Sequence, residues 1–285
     1  MEKRSLAQII AELRKEQGLS LEDIAKRTGL HRTTVGLIER GEREPTVETA
    51  SKIAEAMDMT LAELLLLQDA PDINKVITTR KVKEDCVRNV NSLQAVGLTS
   101  ETLLNAIEHC YNTLDIIDEQ LLKNGAQKLS GLVELANLSS IVGNILGAGI
   151  ANYSNNVYIR NKPHTYPDLI RENGLGEGVE IKIALEKNMP KGHLPKPGNY
   201  LTFRYVLTDS DGNYNKTQRG DTVSIWEVRC GYLKEEDFSI SNTEGDSGKT
   251  APIRTGSLKE MSLVYFEPNL VPYQHTDKKS YPGFN

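Results

Sequence analysis

Apolar residues in the first 68 positions recur at helical spacing and are interrupted by strong stop signals. Leu6, Ile9, Ile10 and Leu13 line one face of a first helix, which Gly18 ends. Ser20, with Asp23 in the third position after it, predicts an N-cap for a second helix carrying Leu21, Ile24 and Ala25, and Gly29 closes it. A third helix is predicted from about His31, with Val35 and Ile38 inside, and Pro45 blocks its continuation. Val47, Ala50, Ile53, Ala54 and Met57 make a fourth stripe. Thr60 and Glu63 form a capping box for a fifth helix with Leu61, Leu64 and Leu65. The pattern predicts a five-helix domain with a tight turn between its second and third helices. The polar, proline-bearing stretch 68–72 then marks a boundary. The expected organisation is a domain over 1–68, a linker over 69–75 and a second domain over 76–285.

The second domain changes character along its length. Residues 76–150 read as largely helical. Leu103, Leu104, Ile107, Tyr111, Leu114 and Ile117 keep helical spacing, Leu121 extends the stripe, and Thr99 and Ser100 are plausible caps. A further apolar helix is predicted over 131–146, with Glu134 beside its stripe. From 151 to 285, glycine, proline and tyrosine rise and short strands appear. Val179, Ile181, Ile183 and Leu185 take one face of a strand, and Glu180 and Lys182 share the other. Leu201, Phe203, Tyr205 and Leu207 alternate with Thr202 and Arg204 on the next. DTVSIWEVRCGYL and MSLVYF are two more. Helices first and strands after predict an α+β or α/β domain, a mixed sheet flanked by helices.

Composition narrows the classes. Hydrophobic residues make up 38% and charged residues 26%, an ordinary globular balance. A net charge of −5 excludes a uniformly basic surface, so any nucleic-acid contact is local. No apolar run of about 18 residues occurs, so no membrane helix is expected. The charged N-terminus does not resemble a signal peptide. Cys86, Cys110 and Cys230 are three in number and widely spaced. That argues against a disulfide framework or zinc knuckle and for a reduced, cytoplasmic setting.

The segment GLSLEDIAKRTGLHRTTVGLIERGEREPTVETASKIAEAM resembles the Cro/phage-repressor helix-turn-helix family. The resemblance implies that the third helix enters the major groove of DNA. Arg32, Thr33, Thr34 and Gly36 would then face the bases, with Arg40 and Arg43 near phosphates. Two features depart from a strong DNA binder. Leu21 stands where the family often has a phosphate-contacting glutamine, and the domain carries 12 acidic against 10 basic residues. A helical dimerisation or partner-contact domain is the alternative.

Asp168 after Pro167, with Glu180 and Lys182 further on, offers a second kind of chemistry. Two carboxylates, with the backbone carbonyl of Ile181, are oxygen donors suited to a hard divalent cation. Such a cation polarises a phosphoryl oxygen and activates water. A lysine beside it orients that water, deprotonates it, or offsets transition-state charge. The arrangement resembles the PD-(D/E)XK nuclease superfamily and, over the last 130 or so residues, its type II restriction endonucleases, especially those cutting around a GG…CC core. That resemblance implies a nuclease-like core using Mg²⁺, replaceable by Mn²⁺, with Asp168, Glu180 and Lys182 catalytic. It implies Glu134 as a further acid near the metal. It also implies a homodimer on a palindromic site in double-stranded DNA, paired with a DNA methyltransferase.

The strand of Glu180 runs into KNMPKGHLPKPG, whose Lys187, Lys191, His193 and Lys196 suit a phosphate backbone. Lys249, with Asn242, Ser247 and Arg254, is a further donor set for DNA. GDSGKT ends like a P-loop but has Thr243 where that motif needs glycine, which argues against an NTPase. Absence of HEXXH removes a zinc metalloprotease. Two functions remain: a metal-dependent endonuclease whose helix-turn-helix adds DNA affinity or autoregulation, and a non-enzymatic transcriptional regulator with a sensing or oligomerising C-terminal domain.

Overall fold

The structure is a computed structural model that describes residues 5–69, 80–239, 250–274 and 281–284. The chain divides into two compact units, Met1–Val76 with Gln120–Ala126 and Ile77–Glu119 with Gln127–Asn285. Positions 70–75 of the expected linker lie outside the described residues.

The first unit holds α1 (Leu6–Glu16), α2 (Leu21–Thr28), α3 (Arg32–Glu39), α4 (Val47–Ala56) and α5 (Leu61–Asp69). Caps set most of their starts. Ser5 with Gln8, Ser20 with Asp23, and Thr60 with Glu63 close reciprocal capping boxes, and Thr46 Oγ1 accepts from the Thr49 amide. Gly29 ends α2 at φ 70°, the left-handed conformation that glycine adopts without strain. Ile9, Ile10, Ile24, Val35, Ile38, Ile53, Ala54, Met57 and Leu64 close into one core. Two residues assigned inward from spacing turn out exposed. Val47, 76% exposed, is the first residue of α4, before the turn that meets the core. Leu65, 42% exposed, sits next to fully buried Leu64, and a helix turns neighbouring side chains apart.

The second unit has α6 (Val90–Ala95), α7 (Ser100–Lys123, whose residues from Gln120 on are counted with the first unit), α8 (Leu129–Leu132) and α9 (Leu135–Tyr153). The single helix expected over 131–146 is therefore two, with Val133 and Glu134 extended between them. The first of the two is held by a distant part of the chain. Lys128 reaches Asp221 at 2.9 Å and Thr222 at 2.7 Å, and Ser130 donates to the Asp221 carbonyl, so α8 is tied to the residues that open the Thr222–Leu233 strand. Asp118 accepts from the Leu129 amide and satisfies the start of α8.

Strands β1 (Tyr158–Arg160), β2 (Leu169–Arg171), β3 (Val179–Leu185), β5 (Gly198–Thr208), β6 (Thr222–Leu233) and β8 (Ser262–Phe266) form one sheet in the order β1-β2-β3-β5-β6-β8. Only β3 and β5 run parallel. β4 (Lys191–Gly192) and β7 (Ala251–Pro252) pair separately, and α10 (Thr255–Glu260) precedes β8. One face of the sheet packs on the helices. Ile181, Leu185, Leu201, Phe203, Tyr205 and Leu207 meet Leu103, Ile107, Leu138, Val142 and Leu146 there. The approach is close. A Cβ on Gly143 would come within 2.9 Å of Ile183, and one on Gly149 within 2.9 Å of the Ala106 backbone.

The opposite face carries Glu180, Lys182, Thr202 and Arg204, followed by Glu227 and Arg229 on β6. Arg204 and Arg229 are buried cations sharing one buried carboxylate, Glu227, at 2.6 Å and 3.0 Å. The Tyr281 hydroxyl donates to the same carboxylate, and the Arg204 guanidinium lies 4.2 Å from the Trp226 ring centroid. This face is half core and half polar network, and the carboxylate–lysine pair lies at its β3 margin.

Candidate functional site

In the first unit, α2, the Gly29 turn and α3 form a helix-turn-helix. His31 caps α3, its Nδ1 accepting from the Thr33 amide at 3.3 Å. Arg14 of α1 grips Glu39 of α3 through two hydrogen bonds of 2.6 Å and 2.9 Å and also donates to the Leu19 carbonyl. That bidentate pair fixes the recognition helix against α1, and the hydrogen bond to Glu39 raises the Arg14 pKa. Arg32, Thr33, Arg40 and Arg43 are exposed and Thr34 is half-buried. Gly36, expected to face DNA, is buried instead. A Cβ there would lie 3.2 Å from the Arg40 guanidinium and 3.7 Å from Leu21, so its role is helix packing. Arg40 also pairs with Glu42 at 2.6 Å, which offsets part of its charge toward phosphate.

In the second unit, β2 and β3 bring the carboxylates together. Leu169 pairs with Val179 in antiparallel register, which sets Asp168 across from Glu180. The Asp168 amide donates to Glu180 Oε2 at 3.0 Å, and the Ile181 amide donates to Asp168 Oδ2 at 2.9 Å. Lys182 Nζ donates to Glu180 Oε1. Asp168, Glu180 and Lys182 thus form one constellation at the edge of the polar face. Side-chain exposures of 11% for Glu180 and 19% for Lys182 leave it reachable from solvent. Burial raises the Glu180 pKa above the usual carboxylate range, and the nearby Asp168 charge adds to that, while Lys182 pulls it back down.

Several residues with no sequence signal build this geometry. The Asn161 side chain donates to the Pro167 carbonyl at 2.8 Å and its amide to the Asp168 carbonyl at 2.9 Å, extending the β1–β2 pairing to the acid. Gly178 is where β2 crosses most closely. A Cβ there would lie 2.2 Å from the Leu169 carbonyl oxygen and 2.4 Å from the Pro167 ring. The GLGEG run was the one available hint.

The basic loop after β3 folds back over the site. A Cβ on Gly192 would lie 3.2 Å from Lys182 Cε. Lys196 Nζ sits 4.7 Å from the centroid of the Tyr166 ring, next to Pro167, and the Tyr166 hydroxyl donates to the Pro197 carbonyl. Lys191, His193 and Lys196 are exposed around this edge. Lys249, with the P-loop-like GDSGKT through that residue, falls outside the described residues.

Glu134 does not join the constellation. It is the exposed residue just before α9. That helix packs through Gly143 and Gly147 on Ile183 and Ile181, the sheet face opposite Glu180 and Lys182. Period-two alternation sends these side chains to opposite sides, so the expectation of Glu134 as a metal ligand is corrected. Among the described residues no group of three or more His, Cys, Asp or Glu side chains gathers around a metal-sized point.

Known proteins resemble the first unit. The helix-turn-helix family model matches residues 10–64. Control protein C.SmaI of Serratia marcescens is 38% identical over 66 residues, 23% of this chain and 79% of that protein. The uncharacterized HTH-type transcriptional regulator y4dJ of Sinorhizobium fredii is 37% identical over 59 residues, 21% of this chain and 77% of that protein. The crystal structure of the restriction-modification controller protein C.AhdI from Aeromonas hydrophila is 41% identical, covering 21% of this chain and 89% of that one, with a TM-score of 0.20. No described helix is long and apolar enough to cross a membrane. Through its N-terminal DNA-binding domain, this chain belongs to the helix-turn-helix family of Cro/phage-repressor type.

Proposed function

We propose that the second unit is a Mg²⁺-dependent endonuclease acting on double-stranded DNA, delivered or regulated by the helix-turn-helix domain. The observation that carries this reading is the meeting of Asp168, Glu180 and Lys182 across β2 and β3. The donor set suits the ion. Mg²⁺ takes oxygen ligands, commonly one or two carboxylates with water and substrate phosphate completing the shell. Asp168, Glu180 and the Ile181 carbonyl would hold it. When bound, the ion supplies Lewis-acid polarisation of the phosphoryl group and lowers the pKa of water.

The chain's own groups do the rest. The Ile181 amide fixes the Asp168 carboxylate, and the Asp168 amide fixes Glu180, so both acids are preorganised. Lys182, an ammonium with three donors and no acceptor, donates to the attacked phosphoryl oxygen or orients the incoming water. A new P–O bond forms from water as the bond to one sugar oxygen breaks, and the water's proton leaves as the departing oxygen gains one. Lys191, His193 and Lys196 line the loop beside Lys182 and track the phosphate backbone. A homodimer on a palindromic site, paired with a DNA methyltransferase, belongs to the same reading.

The relatives favour a second reading. One is named a control protein and another a transcriptional regulator, and both match only the first unit. On that reading the chain is a regulator, and the second unit senses a ligand or oligomerises. Incubation with Mg²⁺ and unmethylated plasmid or phage DNA separates the two. Discrete fragments that vanish in Asp168→Ala and Lys182→Ala support the endonuclease. Tight binding to one operator, with no cleavage across varied DNA and metals, supports the regulator and sinks the nuclease.

A further inference from the structure

On the polar face, the Thr202 hydroxyl and the Arg229 Nε are buried without a hydrogen-bond partner among the described residues, and of these two only the first also lacks an ion-pair partner. Thr202 is 1% exposed. Burying a hydroxyl unpartnered is costly, and valine would fill the same volume without that cost. Its position is specific. On the parallel β3–β5 pair Thr202 is the register partner of Lys182, on the same face, in a sheet whose strands lie about 4.8 Å apart. On its other side it is paired with Arg229. That guanidinium is held by its ion pair with Glu227 at 3.0 Å, by the Lys259 and Met261 carbonyls and by the Tyr281 hydroxyl, so although its Nε makes no hydrogen bond the group is fixed in place. Lys182 is the cation beside Thr202 with freedom to change partner.

Such a change fits the proposed chemistry, on which this inference rests. Lys182 Nζ holds Glu180 Oε1, while Glu180 Oε2 accepts the Asp168 amide. With a divalent cation held by Asp168 and Glu180, Glu180 would offer its oxygens less readily to the Lys182 ammonium, and the two positive charges would repel. Gly192 packs close to the lysine stem, where an added Cβ would lie 3.2 Å from Cε, and Thr202 lies across from it on β5. A threonine hydroxyl offers two acceptor lone pairs.

We propose that Thr202 is a positioning residue. Its hydroxyl receives the Lys182 ammonium when a divalent cation occupies Asp168 and Glu180, and thereby holds the lysine facing the scissile phosphate.

The test uses the full chain and its Thr202→Val, Thr202→Ser and Asp168→Ala variants. Thermal melting, Mn²⁺ affinity without DNA, and single-turnover plasmid cleavage are measured for each. Thr202→Val should melt at or above wild type, because a methyl replaces an unpartnered hydroxyl. Its Mn²⁺ affinity should fall about tenfold and its cleavage rate by at least about as much, the worth of one charge-assisted hydrogen bond, with KM for DNA unchanged. Thr202→Ser should restore both. A Thr202→Val protein that binds Mn²⁺ and cleaves like wild type overturns the proposal alone. So does a Thr202→Val protein whose losses follow a lowered melting temperature and are not restored by serine. Wild type binding Mn²⁺ no better than Asp168→Ala overturns the proposal and the nuclease reading together.

Discussion

Gly178→Ala tests how the sheet holds the two acids together. The added methyl would sit 2.2 Å from the Leu169 carbonyl oxygen and 2.4 Å from the Pro167 ring. Neither atom is the free end of a flexible side chain, so the strands themselves must part, by about 1 Å to restore van der Waals contact. The Asp168–Glu180 and Ile181–Asp168 hydrogen bonds, 3.0 Å and 2.9 Å, bridge the same strand pair and would stretch with it. Overpacking of this kind costs about 1–3 kcal/mol. At about 2–4 °C per kcal/mol for a domain of this size, the melting temperature should drop by roughly 5 °C. A misplacement of about 1 Å at a reacting centre costs about 10²-fold in rate. Mn²⁺ affinity and cleavage should therefore fall well beyond what the lost stability explains. Gly256→Ala is the control, since a Cβ there meets nothing within 4 Å. The reasoning is refuted if Gly178→Ala melts with the control and binds Mn²⁺ as wild type does.

Three other outcomes are expected. Glu227→Gln leaves Arg204 and Arg229 buried without their carboxylate, so chemical denaturation should show a loss of about 3–5 kcal/mol, and a loss under about 1 kcal/mol would contradict the buried-charge argument. Arg32→Ala and Thr33→Ala remove exposed side chains from α3, so operator affinity should fall by about 1–3 kcal/mol each in a gel-shift titration while the melting temperature stays put. Burial pushes the thiol of Cys86 up to about 11 and those of Cys110 and Cys230 up to about 12. All three should resist Ellman's reagent at pH 8 in the native protein and react on unfolding, and rapid native reaction at any of them would place that thiol at the surface.

Local signals made much of the fold legible. Ser20 with Asp23, Gly29, Pro45, and Thr60 with Glu63 punctuate helices through hydrogen bonds made within a few residues, so the five helices could be read directly. The Val179–Leu185 strand was equally plain, because period-two alternation is a property of the strand alone. Errors fell where a distant partner decides. The break between α8 and α9 depends on Lys128 finding Asp221, far along the chain. Val47 and Leu65 differ for reasons within their own helices: Val47 precedes the turn of α4 that meets the core, and Leu65 points away from its buried neighbour Leu64. Glu134 was drawn toward the site by a resemblance, whereas α9 packs on the other side of the sheet.

By itself, then, the sequence determined the chemistry on offer: a helix-turn-helix with exposed Arg32 and Thr33, and a strand presenting Glu180 and Lys182 on one face. Whether Asp168 reaches that strand was decided by tertiary structure. The β2–β3 register, the Asn161 bridge and the missing side chain at Gly178 bring the acid in, and none of these can be read from spacing. Tertiary structure likewise decided that Thr202 lies beside Lys182. Side-chain type and period are carried by neighbours in the chain. Convergence of a site depends on hydrogen bonds and close contacts between segments that only the folded chain brings together.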